Sequence, residues 1–215
     1  MAIPSRQIGW GTESNLLWQI LKQLSRLTST LFSLKEAATP KYKVFTALLT
    51  QSGGDNSLGQ TSGTLVIGTT YYISNDCCGA DFTNVGAPNN NLGTYFVATG
   101  EVPNTWGGIP AGDPQLTYNT GAPTVIVLEN TIGNLWFNYE DIGYYKLSSE
   151  NLFTNFKSTS IMQTPTDGGD RTAPGLYTTY FDGESDFYIS TFKVSDISAV
   201  NDYLLNTFME IRVYN

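Results

Sequence analysis

Apolar positions near the start of the chain recur at a helical period, and from about residue 41 onward they alternate. Between residues 13 and 34, Leu17, Ile20, Leu24, Leu27, Leu31 and Leu34 are spaced by threes and fours. This is a heptad seam, with Leu17, Leu24 and Leu31 at a and Ile20, Leu27 and Leu34 at d. Neither Gly nor Pro interrupts it, so nothing inside should break a helix. Thr12 or Ser14 is placed to cap its start, and Pro40 helps to stop it. Leu16 at g and Leu21 at e widen the apolar stripe. A wide stripe suits a three-stranded bundle, or packing on a domain, better than a two-stranded coil. Leu at a with Ile at d also leans away from dimers. Two readings stay open: a short coiled coil joining identical chains, and a helix laid against its own domain. Three heptads alone are marginal in water, so later parts of the chain must share the work.

Period-two patterning follows. KYKVFTALLTQ (41–51) predicts a strand with Phe45, Ala47 and Leu49 on one face and Val44, Thr46 and Leu48 on the other. TLVIGTTYYIS (64–74), interrupted at Gly68, and TYFVATG (94–100) predict two more. They are separated by Gly-, Asn- and Pro-rich runs at 52–63, 75–93 and 102–114. From 115 onward QLTYN, PTVIVLEN, NLWFNYED, GYYKLSS, 158–163, 174–181 and DFYISTFKV read as strands. PTVIVLEN (123–130) is almost continuously apolar and is expected to be buried on both faces. DISAVNDYLL (196–205) is expected to hold a helical turn or two. FMEIRVYN (208–215) alternates clearly, as a paired terminal strand does. The expected fold is mainly β: an antiparallel β-sandwich body with an N-terminal heptad helix, a short trimeric coiled coil, and a small inserted β module. Residues 1–40 form the attachment and coiled-coil segment, 41–54 and 116–215 the body, and 55–115 the insert.

Composition narrows the class. The 215 residues are long enough for a full core, and only 14% of them are charged. No apolar run approaches the ~20 residues of a membrane span. The opening MAIPSRQIGW has no apolar h-region, so a secretory signal is not expected. Residues 1–43 hold six Lys/Arg against Glu13 and Glu36, a net +4, while the remainder carries a net −12 within the total of −8. A basic foot on an acidic body would suit docking on an acidic surface, or it is simply a solvated helix face. A nucleic-acid partner is disfavoured because the body repels phosphate.

Several segments carry a resemblance. The opening MAIPSRQIGWGTESNLLWQILKQLSRL resembles the start of virion proteins of tailed bacteriophages, especially phages of Bacteroidetes including the crAss-like group. VFTALLTQSG (44–53), APTVIVLENTIG (122–133) and LLNTFMEIRVYN (204–215) are similar to a β domain that recurs in such proteins. In simpler relatives the TALLTQ strand runs almost directly into the VLENT strand, whereas here about 55 to 120 are interposed. The interposed stretch resembles a small module scattered through phage structural proteins. The resemblance implies a non-enzymatic head fibre or capsid decoration protein, commonly trimeric, with an N-terminal anchor and located in the virion after synthesis in the host cytoplasm. Its implied partners are further copies of itself and capsid or other virion proteins. The oligomerisation residues are then Leu17, Ile20, Leu24, Leu27, Leu31 and Leu34, and Arg6, Ile8 and Trp10 are candidates for virion attachment. A tail-associated or receptor-binding adhesive fibre is the alternative.

Candidate chemistry is thin. The chain has no His, which removes Ser-His-Asp and Cys-His arrangements and leaves the adjacent Cys77 and Cys78 without partners for zinc. Neighbouring cysteines hardly form a relaxed disulfide. Glu140/Asp141 and Asp182/Glu184/Asp186 are the carboxylate sets a polysaccharide depolymerase would draw on. DGESD (182–186) and TPTDGGDR (164–171) offer oxygens for calcium without EF-hand spacing. No cofactor is expected. Host-surface glycans are a further candidate partner, through stacking on Trp106, Tyr71, Tyr72, Tyr144, Tyr145 or Tyr180.

Overall fold

The computed structural model describes residues 16–31, 41–75, 79–108, 113–153, 158–163, 175–193 and 195–214. The chain divides into two compact units, Met1–Lys41 and Tyr42–Asn215.

In the first unit, residues 16–31 form one unbroken α-helix. Its hydroxyl side chains bond back to its own carbonyls: Thr28 Oγ1 donates to Leu24 O at 2.7 Å, and Ser29 Oγ and Thr30 Oγ1 donate to Arg26 O at 2.8 Å. Such back-bonding keeps Ser and Thr satisfied inside a helix. Lys22 lies 4.8 Å from the Trp18 ring centroid one turn earlier, a favourable i, i+4 pair.

The second unit is built of antiparallel strands: β1 (Tyr42–Thr50), β2 (Ser57–Gln60), β3 (Thr70–Ile73), β4 (Tyr95–Val97), β5 (Leu116–Asn119), β6 (Thr124–Asn130), β7 (Leu135–Asp141), β8 (Tyr144–Ser149), β9 (Ser158–Gln163), β10 (Gly175–Asp182), β11 (Asp186–Lys193) and β12 (Thr207–Tyr214). They form three four-stranded sheets, ordered β6-β1-β12-β9, β10-β11-β8-β7 and β2-β5-β3-β4. Alternation explains the first two. Phe45, Ala47 and Leu49 of β1 and Met209, Ile211 and Val213 of β12 are buried, as are Phe137, Tyr145, Leu147, Phe187 and Ile189 from the second sheet. All belong to one core cluster. The terminal strand is paired along its length, from Tyr42↔Tyr214 to Leu49↔Thr207, so the two ends of the unit lie side by side in the sheet centre.

The third sheet has its own core of Leu65, Tyr71, Ile73, Phe82, Val85, Ala87, Phe96, Ala98 and Leu116. It closes with β5, a few residues beyond the expected limit at 115. Its loops are tied at Asp81. Thr83 donates to Asp81 Oδ1 through Oγ1 at 2.7 Å and N at 3.0 Å, while Asn104 Nδ2 reaches Oδ2 at 2.9 Å and Asn90 Nδ2 reaches Oδ1 at 3.1 Å. This small sheet seats on β6 and β7, the two edge strands on one side of the larger sheets. Val125 N donates to Gly68 O at 2.9 Å, Phe137 N to Thr70 Oγ1 at 3.0 Å, and Asn134 Nδ2 to Tyr95 O at 2.9 Å. Covering an edge in this way satisfies groups that would otherwise template aggregation.

Three expectations are corrected. PTVIVLEN is not buried on both faces: Val125 is buried, whereas Ile126, Val127 and Leu128 are exposed. β6 is an edge strand with a register shift opposite Thr46/Ala47, so only part of it meets the core. Residues 196–205 hold no helix, because left-handed backbone at Ile197 and Asp202 breaks any helical run. The strand expected over 64–74 shrinks to Thr70–Ile73, since Leu65 to Gly68 turn to meet β6. Cys77, Cys78 and residues 164–174 lie outside the described residues.

Candidate functional site

The helix carries the first candidate surface. Leu16, Leu17, Ile20, Leu21, Leu24, Leu27 and Leu31 are each 54–64% exposed. A helix this apolar is ordinarily covered on that stripe. Leu17, Ile20, Leu24, Leu27 and Leu31 therefore sit on one continuous helix at seam spacing, with Leu16 and Leu21 beside them. Leu34, Arg6, Ile8 and Trp10 lie outside the described residues.

The outer face of the β6-β1-β12-β9 sheet carries an apolar row beside the Glu210–Arg212 ion pair. Ile126, Leu48 and Phe208 are cross-strand neighbours in one row. Ile126, Leu128 and Ile161 are exposed, and Leu48 and Phe208 are half-buried.

A third feature is a cleft of about 200 Å³ where the small sheet meets β7. Ser57, Tyr72, Tyr95, Thr117, Tyr118, Asn119, Asn138 and Tyr139 supply its polar lining. Tyr72 and Tyr95 are cross-strand partners with ring centroids 4.6 Å apart, and Tyr95 stacks on Trp136 at 5.5 Å with planes 9° apart. The aromatic ladder thus spans both sheets. Burial pushes the Tyr95 hydroxyl above its ordinary pKa, with nearby Tyr72 adding to the shift, so it stays protonated and able to donate.

The sequence candidates distribute unevenly. Tyr72 lines the cleft. Tyr144 and Tyr180 are exposed, Tyr180 stacking on Tyr188 at 4.9 Å. Tyr71 and Tyr145 are core residues, because they share inward faces with Ile73 and Leu147. Trp106 packs edge-on against Phe82 and donates from Nε1 to Gly63 O at 3.0 Å. Among the carboxylates, Glu140 pairs with Lys146 at 2.8 Å, and Asp182 and Asp186 face each other across the β10–β11 hairpin, with Ser148 Oγ donating to Asp186 at 2.7 Å. Among the described residues no group of three His, Cys, Asp or Glu converges on a common point, and no helix is long and apolar enough to cross a membrane. The cleft residues Tyr95, Tyr118, Asn119, Asn138 and Tyr139 escaped the sequence reading. They come from strands whose meeting depends on how the small sheet seats on β7.

A mainly β chain of antiparallel sheets, preceded by a helix with an uncovered leucine stripe, is the class these features define. No family model, no curated protein and no solved structure matches the chain.

Proposed function

We propose that this is a non-enzymatic structural protein of a bacteriophage particle, a homotrimeric head fibre or capsid decoration protein attached through its N-terminal segment. The observation that carries the reading is the helix 16–31, whose leucines stand more than half exposed along one heptad seam. In the trimer the seam closes as a three-stranded coiled coil, and the sheets β6-β1-β12-β9 and β10-β11-β8-β7 form the projecting β-sandwich body. The apolar outer face around Leu48, Ile126 and Phe208 gives the bodies a second place to meet, which short heptads need. The resemblance of the opening, of VFTALLTQSG and of LLNTFMEIRVYN to phage virion proteins supports the same assignment. So does the charge division, which leaves a basic foot for docking and an acidic body to project.

Light scattering on the full chain beside a chain beginning at Pro40 tests the oligomer. A trimer that becomes monomeric on truncation is expected. A monomeric full chain refutes the coiled coil. Immunogold labelling of purified particles tests the location, and particles that carry no label refute the virion assignment.

A further inference from the structure

The cleft between the small sheet and β7 has a chemistry that the structural role does not use. Among the described residues, the side-chain hydroxyls of Ser57, Tyr72, Tyr95 and Thr117 have no hydrogen-bond partner. Asn138 reaches Ser148 Oγ only at 3.5 Å, the outer limit of a bond. Several idle hydroxyls thus gather at one concavity, open to a partner. No charged side chain lines the cleft. The nearby Lys146 is neutralised by Glu140 at 2.8 Å.

These groups specify a ligand. Hydroxyls both donate and accept, so they match a partner that does the same. Aromatic rings on the wall favour a partner with an apolar C–H face. The absence of charge in the lining, within a body of net −12, disfavours anions. The volume admits one ring rather than a chain. We propose that this cleft binds a single neutral pyranose residue, the accessible terminal sugar of a surface glycan. Its ring stacks on the Tyr72–Tyr95 wall, and its hydroxyls replace water on Thr117 and Asn138. The inserted module is then the part that gives the particle its contact with a glycan-bearing surface. This rests on the cleft alone and stands or falls apart from the trimer, since every residue involved lies within one chain.

The test is saturation-transfer NMR on the full chain with methyl glycosides of glucose, galactose, mannose, N-acetylglucosamine, fucose and rhamnose, and with methyl glucuronide as the anionic control. Transfer to at least one neutral glycoside and none to the glucuronide is expected. Asn138→Ala should weaken the bound glycoside by about two- to tenfold, the worth of one hydrogen bond, with an unchanged melting temperature. Thr117→Trp should abolish binding by filling the cleft, and Asn138→Ala decides the matter if that variant does not fold. Saturation of no neutral glycoside, equal saturation of the glucuronide, or unchanged affinity in either folded variant would overturn the proposal. Affinity electrophoresis through gels holding a neutral polysaccharide then separates a terminal from an internal sugar. Retardation only by polymers rich in non-reducing ends is expected, and equal retardation by linear polymers would overturn the terminal assignment.

Discussion

The double substitution Leu24→Asp with Leu27→Asp probes the helix seam most directly. Both side chains are about 60% exposed in the single chain, so over half of each remains to be buried by association. Full burial of a Leu contributes roughly 1.5–3 kcal/mol. The exposed share of two leucines is therefore worth about 2–4 kcal/mol per chain, and about 5–11 kcal/mol over three chains. At about 1.4 kcal/mol per decade, that is a loss of four to eight decades in association constant. Six carboxylates brought together in the seam would add repulsion and desolvation to that loss. The assay is light scattering over a concentration series, with near-ultraviolet circular dichroism to confirm that the β unit keeps its aromatic packing. The expected result is a monomer, or aggregate, with an intact β signature. A double variant that remains trimeric over the same concentration range would refute the seam. A trimer that survives in a chain lacking the helix would move the threefold contact to the face around Leu48, Ile126 and Phe208.

Four further outcomes follow from the β unit. Gly68 has φ +83°, and a Cβ there would collide with the Val125 backbone, so Gly68→Ala should lower the urea midpoint by an amount equivalent to about 1–3 kcal/mol and speed proteolysis of the insert. Tyr145 Oη donates to Gln51 Oε1 at 2.7 Å inside the core, and that oxygen keeps the Asp202 N–H, so Tyr145→Phe should cost about 0.5–1.5 kcal/mol in chemical denaturation, the worth of one hydrogen bond. Bonds from Thr83, Asn104 and Asn90 hold the Asp81 carboxyl well below the usual range. A folded value below the unfolded one gives stability that is complete above about pH 4 and lost as pH falls through the folded value, so melting temperature should drop on acidification and Asp81→Asn should flatten that drop. Replacing residues 52–122 by a short turn should leave a folded body of lower solubility, measured by light scattering, because the edges of β6 and β7 lose their cover.

Much of the architecture was legible from alternation. β1 and β12 have strictly periodic inward faces, and both are core strands at the expected residues. A run without Gly or Pro also suggested a helix, and residues 16–31 are helical. β6 misled because an apolar run looks the same whether neighbours cover both faces or one. Its position at a sheet edge is a property of topology, not of its own residues. The stretch 196–205 forms no helical turn, unlike its expected reading. Its conformation is instead held by non-local bonds, such as Asp202 N to Gln51 Oε1 at 2.7 Å and Gly143 N to Asn201 Oδ1 at 2.8 Å. The cleft was the least legible feature. Tyr72 and Asn138 are 66 positions apart in the numbering, and only the seating of one sheet on another places them around the same space.

That seating also explains why so large an insert is tolerated between two strands of one sheet. β1 and β6 are antiparallel neighbours, and Thr50 pairs with Thr124. The two ends of the interposed stretch are therefore adjacent, at the place where a hairpin turn would otherwise stand. Lengthening a closed loop costs little, because closure entropy grows only logarithmically with length. The insert offsets that cost with its own core, built from Tyr71, Phe82, Phe96 and Leu116, and with the bonds it makes to Val125, Asn134 and Phe137. It also leaves the β1–β12 pairing untouched, and with it the strand that follows the helix. A body that keeps its central pairing while one hairpin grows into a module can acquire a new surface without disturbing its own core. The cleft lies on that new surface, where the module's tyrosines meet β7.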